Sequence, residues 1–154
     1  MHHLKRDRVY LMILLACLIA IPLGMRAYDA YYWHNRIPGE AKVFTLTGHS
    51  DYGWILGDRP AYAVASPQHR KMALSKPVIE VKQGDLVVLK LKSSDVIHGF
   101  SYKAAGIFIN DGIEPGKVTL VSFRAEKPGT YRFSCNAICG DNHNNMQGTI
   151  VVTA

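Results

Sequence analysis

Seventeen residues, Val9 to Met25, run without a single charge between Lys5-Arg6-Asp7-Arg8 and Arg26. Water does not tolerate a helix that is apolar all round, so this stretch has to leave it. Its length sits at the short limit of a membrane-spanning helix, roughly 17 to 25 residues. Tyr28, Tyr31, Tyr32 and Trp33 follow as an aromatic belt for the membrane interface. Lys5, Arg6 and Arg8 bias the N-terminus to the cytoplasm, which places the rest of the chain on the outer face of a plasma or inner membrane. A cleaved signal peptide is one rival reading, and a lipoprotein cut before Cys17 is another. The apolar run exceeds the roughly 7 to 15 residues of a signal core, and the aromatic belt suits a retained single-pass anchor.

A chain of 154 residues holds one globular domain and an appendage. The reading is a cytoplasmic tip and anchor over 1–27, a linker over 28–41, and a folded domain over 42–154 with an irregular excursion at 47–76. From Tyr28 onward 14 basic residues face 11 acidic ones, a net of +3. Charge so mild and so scattered gives nucleic acid no footprint.

The folded part reads as all-β. Lys42 to Leu46 alternates as a first strand, and Gly48, Gly53, Gly57, Pro60 and Pro67 then interrupt the pattern. Val78 to Val81 ends at the turn Gln83-Gly84. Over Asp85 to Lys92, Val87, Leu89 and Leu91 take one face and Lys90 and Lys92 the other. Glu114-Pro115-Gly116-Lys117 and Lys127-Pro128-Gly129-Thr130 have the Pro-Gly pair of type II turns. Between them Val121, Phe123 and Ala125 alternate with Ser122 and Arg124. Tyr131, Phe133 and Cys135 share a face, and Gly148 to Val152 is a last strand. Short strands with close turns predict an antiparallel β-sandwich.

Near the C-terminus Cys135, Cys139, His143 and Met146 fall within twelve residues. Thiolates and a thioether beside imidazole select a soft metal such as copper. Steps of four, four and three also match one helix face, but Asn136, Gly140, Asp141, Asn142, Asn144 and Asn145 are poor helix formers. A Cys135–Cys139 disulfide is a second alternative in an exported domain; it leaves His143 and Met146 unexplained. Cys139, His143 and Met146 with one distant histidine would make a mononuclear blue-copper site. Cys135 argues instead for two thiolates bridging two metals. His98, in Asp95-Val96-Ile97-His98, is the candidate distant ligand. His2, His3, His34, His49 and His69 read as solvated histidines.

Asp95-Val96-Ile97-His98 and Cys-x-x-x-Cys-Gly-x-x-His-x-x-Met at 135 to 146 resemble subunit II of the haem-copper cytochrome c oxidases, over roughly Pro77 to Thr153. The single anchor looks most like the B-type oxidases. The resemblance implies a cupredoxin-like Greek-key β-sandwich with one N-terminal transmembrane helix, holding the two-copper centre called CuA. It implies that Cys135 and Cys139 bridge both coppers and that His98 and His143 bind one each. Met146 is then the axial ligand of one copper, and the backbone carbonyl of Ala137 that of the other. Ala137 stands where A-type sequences have Glu, so no Mg site is expected through its side chain. The family's aromatic run for electron uptake has no clear counterpart, and Trp54 is the one nominee.

The role so implied is that of a non-catalytic electron-transfer subunit. Electrons would come from an external cytochrome c or small copper protein and pass to haem in a membrane subunit I. An anchored CuA carrier for a nitric oxide reductase, a mononuclear copper carrier and a copper chaperone are the rival functions.

Overall fold

A computed structural model describes residues 2–59, 76–140 and 143–154. The chain forms two compact units, Met1–Gly39 and Glu40–Ala154. The first is a single helix, α1 (His2–His34), whose stretch Arg6–His34 is long and apolar enough to cross a membrane. Residues 28–34, which the sequence reading gave to the linker, continue this helix. No glycine or proline stops it there, and side chains one turn apart support each other. Trp33 Nε1 donates to Asp29 Oδ1 at 2.9 Å, and the Tyr28 and Tyr32 rings lie 6.2 Å apart. The chain leaves the helix only at Asn35, ahead of Pro38 and Gly39.

Among its described residues the second unit has nine strands: β1 (Lys42–His49), β2 (Gly53–Leu56), β3 (Val78–Lys82), β4 (Leu86–Ser93), β5 (His98–Tyr102), β6 (Ile107–Ile113), β7 (Thr119–Arg124), β8 (Gly129–Ser134) and β9 (Gln147–Thr153). One sheet has the order β2-β1-β4-β7 and the other β3-β9-β8-β5-β6. Their buried faces meet in one core. Leu46, Val87, Leu89 and Leu91 come from the first sheet, and Ile79, Phe100, Phe133 and Ile150 from the second.

The expectation of an antiparallel sandwich is corrected: both sheets are mixed. β1 runs parallel to β4, pairing Lys42 with Val87 through Gly48 with Ser93, and β3 runs parallel to β9. Parallel neighbours need a crossover connection, and here the chain supplies it by switching sheets between the partners. Alternation along a strand is the same for either direction, which is why the sequence pattern did not reveal it.

The irregular excursion expected over 47–76 is also revised. Residues 47–49 belong to β1, and Gly53–Leu56 forms the edge strand β2, paired with β1 from Leu46–Leu56 to His49–Gly53. Gly53 and Gly57 have φ of +75° and +105°, so they bracket this short strand with turns. The remainder of that expectation, 60–75, lies outside the described residues. The turn at Pro115-Gly116 is as expected, with Gly116 at φ +78° and Lys117 N donating to Glu114 O at 3.3 Å.

This topology brings three strand ends to one end of the sandwich. His98 opens β5, Cys135 follows β8, and Met146 precedes β9. β8 and β9 are antiparallel neighbours in register from Gly129–Val152 to Ser134–Gln147. One further bond, Cys135 N to Met146 O at 2.9 Å, closes the base of the intervening loop.

Candidate metal centre

The loop from Cys135 to Met146 is not a helix. Its described residues are irregular apart from one 3-10 turn at His143–Asn145, so its four-four-three spacing is a property of a hairpin loop. Cys135, Cys139 and Met146 are buried, and His143 is half-buried. The Cys135 and Cys139 sulfurs are 3.6 Å apart and carry no disulfide, whose bond is about 2.05 Å. Cys139 Sγ lies 3.7 Å from His143 Nδ1 and 3.5 Å from Met146 Sδ. The Cys135 thiol donates to the Ala137 carbonyl at 3.2 Å.

His98 is fully buried. A ring nitrogen of His98 and the two cysteine sulfurs all lie within 4.8 Å of one another. Its Nε2 meets Asp95 Oδ1 at 2.9 Å, while its Nδ1 is buried without a hydrogen-bond partner among the described residues. Orphaning a buried polar atom costs on the order of 1–3 kcal/mol, so this nitrogen calls for an occupant beside it. Donors that each bond a soft metal at about 2.0–2.3 Å sit roughly 3.5–3.8 Å apart around it, which is the spacing of these sulfurs and of His143. Donor chemistry, spacing and the orphaned nitrogen all fit a metal.

Asp95, quoted in the sequence motif but given no role there, holds the far side of His98. Its other oxygen, Oδ2, accepts the Ser50 N–H at 2.7 Å and lies 3.6 Å from His49 Nδ1. Burial raises the Asp95 pKa, but hydrogen bonds from Ser50, the Val96 N–H and His98 outweigh it and hold the carboxyl at about 2. A carboxylate there fixes the His98 tautomer and ring plane, as metal-bound histidines require. The signal for it was present, since Asp95 lies three residues before His98. Burial likewise raises Cys135, yet the adjacent His98 and the N–H groups of Ala137 and Gly99 bring it down to about 6. Burial and the neighbouring Cys135 push Cys139 up to about 12. Burial lowers the His98 pKa, but Cys135 and Asp95 together leave it raised. Of the two thiols, Cys135, next to His98, is therefore the one that ionises first without metal.

The structure brings His98, Cys135, Cys139, His143, Met146 and the Ala137 carbonyl into this one end. Trp54, nominated for electron uptake, is only 2% exposed; its ring packs 6.1 Å from that of His98 and edge-on to Phe100 at 5.6 Å. The exposed apolar surface lies elsewhere. Ile138, between the two cysteines, is 95% exposed, and it lines a shallow groove with Asp95, Val96, Ile97, Pro115 and Cys139.

A two-sheet sandwich of mixed strands with soft donors gathered at one end defines a cupredoxin-like domain. The family model for the cytochrome c oxidase subunit II periplasmic domain matches residues 49–154. This chain belongs to that family. It is 50% identical over 74 residues to cytochrome c oxidase subunit 2 of Thermus thermophilus, covering 48% of this chain and 53% of that protein. The chain spans about half the length of the curated relatives it matches. The periplasmic domain of subunit II of cytochrome oxidase (CoxB) of Bradyrhizobium japonicum shares the fold, with a TM-score of 0.54 at 24% identity over 76% of this chain and 87% of that one. A chain of a heme-copper terminal oxidase dimer aligns over 96% of this chain and 99% of its own, with a TM-score of 0.53 at 20% identity.

Proposed function

We infer that this chain is the electron-accepting subunit of a haem-copper terminal oxidase and that its centre holds two copper ions. The observation that carries the reading is the pair of buried thiols 3.6 Å apart beside the unpartnered Nδ1 of His98. A mononuclear site needs only one of those thiols. Cys135 and Cys139 would bridge the metals, His98 and His143 would bind one each, and Met146 and the Ala137 carbonyl would be the axial donors. When bound, such a copper pair supplies a one-electron relay with its charge change spread over both metals.

The residues around it serve that role in distinct ways. Asp95 orients His98, and the bond from Cys135 N to Met146 O fixes the two ends of the loop. Burial of Cys135, Cys139, His98 and Met146 keeps water from the donors. The Ile138 groove gives a cytochrome c or small copper protein an apolar place to dock directly over the cysteines. The chain itself carries out no substrate chemistry in this reading; electrons pass on to haem in a subunit I. α1 would anchor the domain with Arg6 and Arg8 on the cytoplasmic side and the sandwich on the outer face. Residues 42–154 would then act as one copper domain, with 35–41 as the tether.

The test is copper loading of the full chain in detergent, with metal analysis and EPR. Two coppers per chain with the unpaired spin shared over both nuclei is the expected result. One copper with a single-nucleus signal would replace this reading with a mononuclear carrier.

A further inference from the structure

Gly48, near the end of β1, lies where two of the donor side chains meet the strand. A Cβ built on it would stand 2.7 Å from His98 Cδ2 and 2.9 Å from Met146 Cε. No real Cβ contact is that short, so any other residue forces something to move. The backbone is not free to do so. Gly48 pairs with Ser93 of β4 on one side and with Trp54 of β2 on the other. Its carbonyl also accepts Ser94 N–H at 3.0 Å and Ser94 Oγ at 2.9 Å. His98 and Met146 are both fully buried, so neither has solvent to retreat into. His98 is further held by Asp95 through Nε2. The flexible Met146 thioether yields at its methyl, one bond from Sδ, while the 2.7 Å contact forces the His98 ring itself to shift.

The geometry points to Gly48 as a positioning residue: the missing side chain lets β1 press against Met146 and His98 and sets how far the thioether and the ring reach into the centre. Glycine in a strand is otherwise unfavourable, and a close approach is one of the recurring reasons for it. This inference rests on the proposed copper reading for its consequence, though its geometry stands without metal.

The experiment uses the full chain in detergent as wild type, Gly48→Ala, Met146→Leu, which lacks the Cε atom, and the double variant. In the metal-free protein, Gly48→Ala shifts the NMR signals of the Met146 methyl and the His98 ring. In the copper-loaded protein it alters the EPR hyperfine pattern and weakens copper binding by about 10- to 100-fold, the range for changes just outside a ligand shell. Added to Met146→Leu, it perturbs the spectrum less than it perturbs that of the wild type, because the Met146 Cε contact is gone and only the contact with the His98 ring remains. Gly148→Ala is the packing control. Its Cβ would strike the Phe133 ring in the core, so it lowers the melting temperature while the folded fraction keeps the wild-type copper spectrum. Should Gly48→Ala alone not fold, recovery of folding in the Met146→Leu or the His98→Ala background supports the inference, and failure in both overturns it. An unshifted Met146 methyl in folded Gly48→Ala overturns it whatever the wild type binds. A wild-type copper count other than two sinks the copper reading alone.

Discussion

Leu89 in β4 and His98 at the start of β5 are both completely buried, in different company. Leu89 belongs to the hydrocarbon core between the sheets. Its burial stabilises the fold, by about 1.5–3 kcal/mol for a side chain of this size. His98 is buried with one ring nitrogen tied to Asp95 and the other unpartnered, and two thiols and a thioether crowd the same end of the sandwich. Burial there works against the metal-free fold. The core is built to be stable by itself, and the loop end is built to be completed by something it binds.

Substitutions can break this contrast in order of effect. Cys139→Ser removes a thiol that lies within 4 Å of Cys135, His143 and Met146. The two-copper EPR signal should disappear altogether, with the metal-free melting temperature little lower than that of the wild type. A surviving two-copper signal would remove Cys139 as a bridge. Leu89→Ala should do the reverse. It costs about 2–5 kcal/mol in denaturant unfolding, and the copper signal of the folded protein stays that of the wild type.

Asp95→Asn probes the border between the two regions. It should weaken copper binding by about 10- to 100-fold in competition with a chelator. Its acid behaviour carries a definite sign. The folded carboxyl sits at about 2 against an ordinary 3.8, so its contribution is complete above pH 4 and drains away as pH falls from about 4 to 2. That contribution is about 2 kcal/mol, and the Asn variant should lose this limb of the stability curve of the metal-free chain. An unchanged limb would mean that other carboxylates carry it.

Ile138→Ser is the mildest change. At 95% exposed it should shift stability by no more than about 0.5 kcal/mol. Reduction by an external donor protein should nevertheless slow roughly fivefold, about 1 kcal/mol of docking. With an apolar groove and a domain of net +3, that reduction should depend only weakly on salt; a steep loss of rate with ionic strength would move docking to a charged surface.

The two regions were also unequally legible. The candidate donor cluster was visible because four of its residues are local, spaced inside one hairpin loop. β4 could be read because Lys90 and Lys92 alternate with Val87, Leu89 and Leu91. β5 could not, since all five of its residues are buried and no alternation marks it. β2 was hidden by Gly53, which opens it, and by Gly57, which follows it. The parallel pairings join segments about 45 and 70 residues apart, and no local signal announces a partner that distant. Gly48 meets His98 and Met146 across strands, so its place beside them emerges only when the strand ends come together, whereas Asp95 stands three residues before His98 and could have been read from that spacing. Trp54 was noticed as an aromatic, and its place against His98 depends on the β1–β2 pairing.

The claim that the loop end is completed by two metals is tested most directly by thermal unfolding of the full chain, in detergent, against added copper. The melting temperature should climb with each addition and stop rising sharply at two equivalents per chain, because metal held only by the folded state stabilises it. A break at one equivalent, or no rise at all, would contradict the account.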